Sequence, residues 1–402
     1  MPPRSASSNL TEDFLVSEFA RTISDLSLEP RFQRGDRIGY AVDRKNQPAV
    51  KLAMAQVPLS YDLWEGLKNP AGIGLHPVGI REIWEFYAHR RITGIDEAGR
   101  PTIFQIPLPF DRALNQYRCV LIISVMLPFS PLLMDEYADS IMKNTRGSSH
   151  LFTRMCDEIN ALLDSATSRV AIELMGEKRI VVPLVNTTIQ SISQEAIPLT
   201  HQGAAHGPSK GGNFPQKSIA ALLGLGQFGV NRIIFRDEQV GNSIHRFVGP
   251  LRSILIFDSQ MNMDEEGTII PLTSAWRKFL MRLYDFTDTD PEINRYRFCT
   301  HVSLEDEGCE MCRIYCPSGA QSNSMPERNG TFPLEIIQQK HRFWNGTLQF
   351  DYRRCCEERG QMTEIFPEWS CSRALSVCAA KGKRRIFSAA HFYDKRAGLN
   401  TQ

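Results

Sequence analysis

The chain has 402 residues, of which 42% are hydrophobic and 23% charged, and its formal net charge is +1. This composition is that of an ordinary globular chain with room for two or three domains. The balanced charge predicts no attraction to nucleic acid or to an anionic membrane surface. No apolar run approaches the length of a membrane span, and the polar N-terminus has no secretory pattern. We therefore expect a cytoplasmic protein that binds neither nucleic acid nor a membrane.

The first part of the chain, residues 1–117, is interpreted as a cap or irregular region. Residues 14–29 have the apolar spacing of a helix, residues 49–57 are compatible with a strand, and residues 80–90 predict a second helix. Many prolines and glycines separate these short elements. Such residues interrupt regular structure, so we expect this part to cover a core rather than to form one.

Strands that alternate with helices predict an α/β core over residues 118–290. The run Cys119–Leu127 is continuously apolar and rich in β-branched residues, as expected of a buried strand. Further strands are predicted over 179–185, 232–235 and 253–257, and helices over 135–144, 151–174, 216–223 and 274–284. Residues 186–212 are polar, rich in glycine and contain His201 and His206, which is typical of a functional loop.

Residues 224–229 (GLGQFG) formally match the G-x-G-x-x-G pattern of dinucleotide-binding sites. That pattern requires a strand before it and a helix after it. Here the predicted order is reversed, which disfavours a nicotinamide site. Two interpretations stay open, namely a tight turn from helix to strand, or close approach of the backbone to a large flat ligand, which glycine permits because it has no Cβ.

The last part of the chain, residues 291–402, is organised by cysteines. Eight of the ten cysteines lie here: Cys299, Cys309, Cys312, Cys316, Cys355, Cys356, Cys371 and Cys378. The C-x2-C-x3-C-P run that ends at Pro317 is typical of a loop around a [4Fe-4S] cluster, whose last cysteine often serves a second cluster. We therefore predict a ferredoxin-like iron–sulfur module followed by a C-terminal tail. A structural zinc site is the alternative, and a disulfide framework is disfavoured in so long a chain.

The second cysteine group departs from a complete repeat. Ala374 stands where the middle ligand of a second C-x2-C-x3-C-P run would be, and Ala379 stands at the proline position. By the crossed ligation of two-cluster ferredoxins, one cluster would take Cys299, Cys309, Cys312 and Cys378, and another Cys316, Cys371 and either Cys355 or Cys356. One cluster is therefore expected, and a second stays open with a missing or unusual ligand.

The order of these motifs resembles the cobalamin- and iron–sulfur-dependent reductases, which include epoxyqueuosine reductase and the reductive dehalogenases. The resemblance rests on a helix running into GLGQFGVNR, a strand with Arg246, the later Ile-Phe-Asp258, and C-x2-C-x3-C-P-S-G-A. It implies a flavin-reductase-like α/β (α+β) core that binds cobalamin, with a cluster beside the corrin. It also implies that the corrin-binding turn contains Gly224, Gly226, Gly229 and Asn231. The nine residues between Cys299 and Cys309, like Ala374, depart from both named enzymes.

A proton donor is needed for reductive chemistry, and the resemblance directs attention to the residues before the glycine segment. The aspartate of epoxyqueuosine reductase falls in register near Lys210, with Lys217 and His206 nearby. Because that aspartate is absent, epoxyqueuosine itself is in doubt as a substrate. A lysine can act as a cationic acid or bind an anionic substrate, and its alternative interpretation is a solvated surface charge.

The resulting expectation is an oxidoreductase that uses cobalamin and at least one [4Fe-4S] cluster in dehalogenation or a related reductive cleavage of a small organic substrate. Because the sequence contains no recognisable reductase domain, electrons would come from a ferredoxin or a flavodoxin. Two alternatives stay open: an iron–sulfur electron-transfer or flavin-linked protein without corrin, and a non-enzymatic cobalamin-handling protein. A homodimer is also left open.

Overall fold

The computed structural model describes residues 10–30, 32, 39–58, 90–95, 101–105, 117, 119–143, 150–175, 179–184, 216–229, 233–240, 243–258, 274–287 and 299. Its helices are α1 (Glu12–Ser27), α2 (Pro131–Lys143), α3 (His150–Leu174), α4 (Gln216–Leu223) and α5 (Ser274–Thr287). Its strands are β1 (Lys51–Pro58), β2 (Arg90–Ile95), β3 (Pro101–Gln105), β4 (Cys119–Met126), β5 (Arg179–Leu184), β6 (Gln227–Phe228), β7 (Ile234–Val240), β8 (Ser243–Phe247) and β9 (Leu251–Asp258).

Helix α1 shows how the local sequence determines an element. The Thr11 hydroxyl accepts a hydrogen bond from the Phe14 N–H at 3.2 Å, which caps the first turn. Acidic residues in that turn complement the helix dipole. The buried side chains recur every three or four residues and include Leu15, Phe19 and Ile23. The helix therefore presents one apolar face to the core.

The central feature of the fold is a four-stranded sheet in the order β1-β4-β9-β5. Each neighbouring pair is antiparallel. All residues of the two middle strands, β4 and β9, are buried. Continuous apolar runs are typical of parallel strands, but here antiparallel strands achieve the same burial because helices cover both faces. The described strands and helices thus form an antiparallel sheet with helices packed against both faces.

Each face of this sheet has its own apolar cluster. On the first face, which we call the α4–α5 face, the cluster contains Val120, Ile122, Leu255, Phe257, Ile219, Leu222, Phe279, Leu283 and Cys299. On the second, which we call the α1–α3 face, it contains Leu121, Ile123, Ile254, Ile256, Leu15, Phe19, Leu163 and Val170. The start of α4 is bound to the sheet by the Gln216 side-chain amide, which donates to the Leu184 carbonyl at 3.0 Å.

The described part of the N-terminal region contributes to this core, which the cap interpretation does not anticipate. Strand β1 pairs along its whole length with β4, from Lys51 opposite Met126 to Pro58 opposite Cys119. Helix α1 packs in the same cluster as α3. The expected boundary at residue 117 is therefore not a boundary of the sheet. Of the helix predicted over 80–90, all but Arg90 lies outside the described residues, and Arg90 begins strand β2.

Strands β6, β7 and β8 form a second antiparallel sheet. The Lys51 ammonium of β1 lies 2.6 Å from the Glu238 carboxylate of β7 and 4.8 Å from the centre of the Phe247 ring of β8. These contacts join the second sheet to the edge of the first. None of the described helices combines the length and the apolar character needed to cross a membrane.

Candidate functional site

The glycine segment begins as the C-terminal cap of α4. Gly224 has φ +86°, in the left-handed region that favours glycine. Its N–H donates to the Ala221 carbonyl at 3.0 Å, and the Leu225 N–H donates to the Ala220 carbonyl at 2.9 Å. This pair of hydrogen bonds is the Schellman arrangement, which satisfies carbonyls left without partners at a helix end. The predicted order of helix, glycine turn and strand is confirmed.

Atoms of the chain itself occupy the space beside the first two glycines of the segment. A Cβ on Gly224 would lie 2.5 Å from an Arg282 guanidinium nitrogen. A Cβ on Gly226 would lie 2.5 Å from the Ile234 side chain and 2.8 Å from the Phe235 carbonyl oxygen. All three distances are far below ordinary van der Waals contact. The left-handed backbone of Gly224 and the packing around Gly226 therefore account for glycine at both positions, which agrees with the tight-turn interpretation and requires no ligand.

Alanine at either position should destabilise the turn. We expect Gly224→Ala to lower the free energy of unfolding by about 1–3 kcal/mol because of its positive φ, with further loss from the clash with Arg282. Gly226→Ala should also destabilise the protein because its methyl group meets a backbone carbonyl. Urea denaturation measures both losses. Gly224→Asn is the control, since asparagine tolerates left-handed backbone and should recover part of the loss. Equal stability of Gly224→Ala and the wild type would contradict this account.

Two arginines bind carbonyl groups in or next to the glycine segment. Arg282 of α5 is 6% exposed and donates to the Leu222 carbonyl at 3.1 Å. Arg236 of β7 reaches the Leu225 carbonyl at 3.5 Å and also pairs with the Glu238 carboxylate at 2.6 Å. A cation at the C-terminal end of a helix interacts favourably with the helix dipole. The turn is therefore held by polar contacts from two other elements.

Cys299 is the one member of the predicted ligand set that falls within the described residues. It is 6% exposed and belongs to the apolar cluster of the α4–α5 face. The same cluster contains Leu225 and Phe228 of the glycine segment. The structure thus brings the first predicted cluster ligand and the glycine segment into one packed region.

The other predicted site residues are placed as follows. Lys217 is the second residue of α4 and its side chain is exposed. Gly229 is buried, and its N–H donates to the Ile233 carbonyl at 2.9 Å. The remaining predicted residues lie outside the described part of the chain: Lys210, His206, Asn231, Cys309, Cys312, Cys316, Cys355, Cys356, Cys371 and Cys378. Among the described residues, no group of three His, Cys, Asp or Glu side chains is arranged to hold a metal ion.

The structure also places the two polar residues that contribute to the resemblance. Arg246 forms two hydrogen bonds with the Asp237 carboxylate, each of 2.8 Å, and its guanidinium lies 3.9 Å from the centre of the Phe235 ring. Asp258 accepts a hydrogen bond from Arg179 at 2.9 Å at the end of β9. Both residues therefore make ion pairs within the chain.

Sequence reasoning did not single out the environment of Tyr117. This residue is buried, and its ring meets the Phe257 ring edge-to-face at 6.2 Å between centres. Burial raises the pKa of the Tyr117 phenol above its ordinary value, and the negative charge of Asp258 raises this pKa further. No motif identifies such a group, because its surroundings come from strands far apart in the sequence.

The Tyr117 environment predicts a loss of stability at alkaline pH. The unfolded chain releases the tyrosine proton at about pH 10, whereas folded Tyr117 keeps its proton to higher pH. Its contribution is therefore fully present below that value and is lost as the pH rises through the folded pKa. We expect Tyr117→Phe to show a shallower loss of stability between about pH 9 and about pH 11. Urea denaturation across this range tests it, and identical alkaline profiles would contradict it.

Comparison with known proteins adds no family. No protein-family model, no curated protein and no solved structure matches this chain. What the chain does must therefore be argued from its own residues and from the resemblance of its motifs.

Proposed function

We propose that this chain is an iron–sulfur oxidoreductase in which thiolates of the C-terminal module hold at least one [4Fe-4S] cluster beside the glycine segment. The observation that carries the proposal is the position of Cys299, which is buried in the same apolar cluster as Leu225 and Phe228. Thiolates are the usual ligands of iron–sulfur clusters, and limited solvent exposure tunes their reduction potential. A buried thiol in the apolar cluster that also contains two residues of the glycine segment suits such a ligand.

The resemblance extends this proposal to a cobalamin-dependent reductase, with electrons passing from cluster to corrin to a small organic substrate. Cobalamin would supply the bond-breaking chemistry when bound. The net reaction consumes two electrons and one proton and replaces the leaving group by hydrogen. Lys210, Lys217 and His206 remain the candidates for the proton donor, and Lys217 is accessible to solvent on α4. A ferredoxin or a flavodoxin would supply the electrons.

A specific observation favours the alternative of an iron–sulfur electron-transfer or flavin-linked protein without corrin. The Cβ positions of Gly224 and Gly226 face atoms of Arg282, Ile234 and Phe235, so these two glycines are used by the fold itself. They therefore provide no independent support for a macrocycle at this turn. The corrin rests on the order of motifs alone, and it must be tested separately from the cluster.

Elemental analysis separates these proposals. The protein is purified without oxygen from cells supplied with iron and cobalamin, and iron, sulfide, cobalt and zinc are measured. One cluster predicts roughly four iron atoms per chain and two clusters predict roughly eight. Stoichiometric cobalt supports the cobalamin-dependent reductase, and iron without cobalt supports the alternative. Zinc in place of iron would contradict both.

Two cysteine variants make the analysis specific. We expect Cys312→Ala to lose most of the bound iron, because it removes a ligand from the C-x2-C-x3-C-P run. Cys119→Ala is the matched control, since Cys119 is a buried residue of β4 outside that run. Its iron content should equal that of the wild type. Equal iron in both variants would exclude Cys312 as a ligand.

A further inference from the structure

Two serines lie side by side in the middle of the central sheet. Ser124 of β4 and Ser253 of β9 are partners in the strand register, and both are 0% exposed. Side chains paired in this way point to the same face of an antiparallel sheet, with Cβ atoms about 4.5–5.5 Å apart. Ile122 and Leu255, two positions away on the same strands, belong to the cluster of the α4–α5 face. Because side chains alternate along a strand, both serine hydroxyls point into that layer.

The described part of the chain satisfies neither of these hydroxyls. The Oγ atoms of Ser124 and Ser253 are buried, and no described group lies within hydrogen-bonding distance of either. A buried hydroxyl without a partner loses the hydrogen bonds that it makes to water in the unfolded chain, which is costly. Buried polar groups are therefore almost always bonded to protein or to ordered water. Two such hydroxyls at paired positions indicate that they share one polar partner.

The surroundings of the pair suit a partner that is small and uncharged. The row of side chains that crosses the sheet at this level is Ala53, Ser124, Ser253 and Leu184. Three of these four side chains are small, and none is charged, which disfavours an ion at a site closed to solvent. The Gln216 amide donates to the Leu184 carbonyl at 3.0 Å and so brings a further polar group to the end of this row.

We propose that Ser124 and Ser253 bind one buried water molecule, which bridges their hydroxyls on the α4–α5 face of the sheet. Two oxygens that each bond to one water at about 2.8 Å lie about 4.5–5.5 Å apart, which matches the separation of paired side chains. Water both donates and accepts, so it satisfies the two hydroxyls in either orientation. The bridge joins the two middle strands through their side chains, and it does not depend on the proposed iron–sulfur function.

The test counts long-lived internal waters in the full-length protein by oxygen-17 magnetic relaxation dispersion and measures the urea midpoint of the same samples. Ser124→Ala and Ser253→Ala each remove one partner of the water, so we expect each variant to lose one long-lived water and to unfold at lower urea. The double variant should lose little more stability than either single variant, because all three lack the same bridge. Thr167→Val is the control, since the buried Thr167 hydroxyl donates to the Leu163 carbonyl at 2.7 Å. Its water count should equal that of the wild type.

The water count decides the outcome. Loss of one long-lived water from either serine variant, but not from Thr167→Val, supports the inference, whereas an equal loss from Thr167→Val overturns it. An unchanged count in both serine variants also overturns it, and the urea midpoint then gives the reason. A lower midpoint means that the hydroxyls bond directly to protein, and a higher one means that they have no partner. If neither variant folds, a high-resolution crystal structure of the wild type decides: a water bonded to both Oγ atoms supports the bridge, and its absence overturns it.

Discussion

Replacing Asp164 with alanine is expected to lower the free energy of unfolding by about 3–5 kcal/mol. Asp164 lies on α3 and accepts a hydrogen bond from the Arg252 guanidinium of β9. Both side chains are nearly inaccessible, and Arg252 also donates to the Asn160 side chain at 2.9 Å. The variant leaves the Arg252 charge buried beneath the α1–α3 face without its carboxylate, which is the costly half of a buried ion pair. Urea denaturation followed by circular dichroism measures the loss.

The same helix offers a matched control. Glu173 pairs with Arg21 at 3.1 Å, but its side chain is 49% exposed. Glu173→Ala should therefore lower the free energy of unfolding by about 1 kcal/mol or less. The double variant Asp164→Leu with Arg252→Met removes both buried charges and should recover most of the loss, because apolar replacements of a buried pair are often neutral. An Asp164→Ala variant as stable as Glu173→Ala would contradict the assignment.

The second large effect is expected at the buried ion pair of the β7–β8 hairpin. Asp237→Ala leaves the Arg246 guanidinium, whose side chain is 1% exposed, without the carboxylate that accepts two hydrogen bonds from it. The expected loss is again about 3–5 kcal/mol. The guanidinium of Arg246 also stacks on the Phe235 ring, and a desolvated contact of this kind contributes about 2 kcal/mol. This stacking is present before and after the substitution, so it does not compensate for the lost carboxylate. Thermal and urea unfolding both report this loss.

The neighbouring carboxylate serves as the control for this hairpin. Glu238 pairs with Lys51 and Arg236, and all three side chains are partly exposed. Glu238→Ala should lower the free energy of unfolding by about 1 kcal/mol or less for each of the two pairs. Hydrogen exchange of the β7–β8 amides should rise more in Asp237→Ala than in Glu238→Ala. The reverse order would show that the Asp237–Arg246 pair does not stabilise the hairpin.

Elements with clear end signals could be predicted closely from the sequence. Helix α4 begins after Pro215 and ends before Gly224, and the predicted range 216–223 is the observed one. Strand β7 was expected to end at Phe235 but continues to Val240. The extra residues are polar except for Val240 and carry no apolar alternation. Their stability comes from contacts with β8 and β1, which lie elsewhere in the chain.

The direction of the central strands could not be predicted in the same way. The apolar runs of β4 and β9 are equally compatible with parallel and antiparallel pairing, because burial on both faces gives the same pattern. The buried pair of Asp164 and Arg252 was also hidden, since the two residues are 88 positions apart. Of the candidate site, the glycine turn could be predicted from local residues, whereas the proximity of Arg282 to Gly224 depends on how α5 packs. The cysteine ligation and the proton donor remain predictions.

Because each face of the central sheet has its own apolar cluster, neighbouring residues of one strand report on opposite sides of the sheet. Val120 and Ile122 of β4 face the layer that contains Cys299, whereas Leu121 and Ile123 face α1 and α3. Unpaired electrons on a metal centre broaden nuclear resonances with a steep dependence on distance. Isotope labels placed at successive positions along β4 would therefore show on which side of the sheet the proposed cluster is bound, without any substrate and without removing a single ligand.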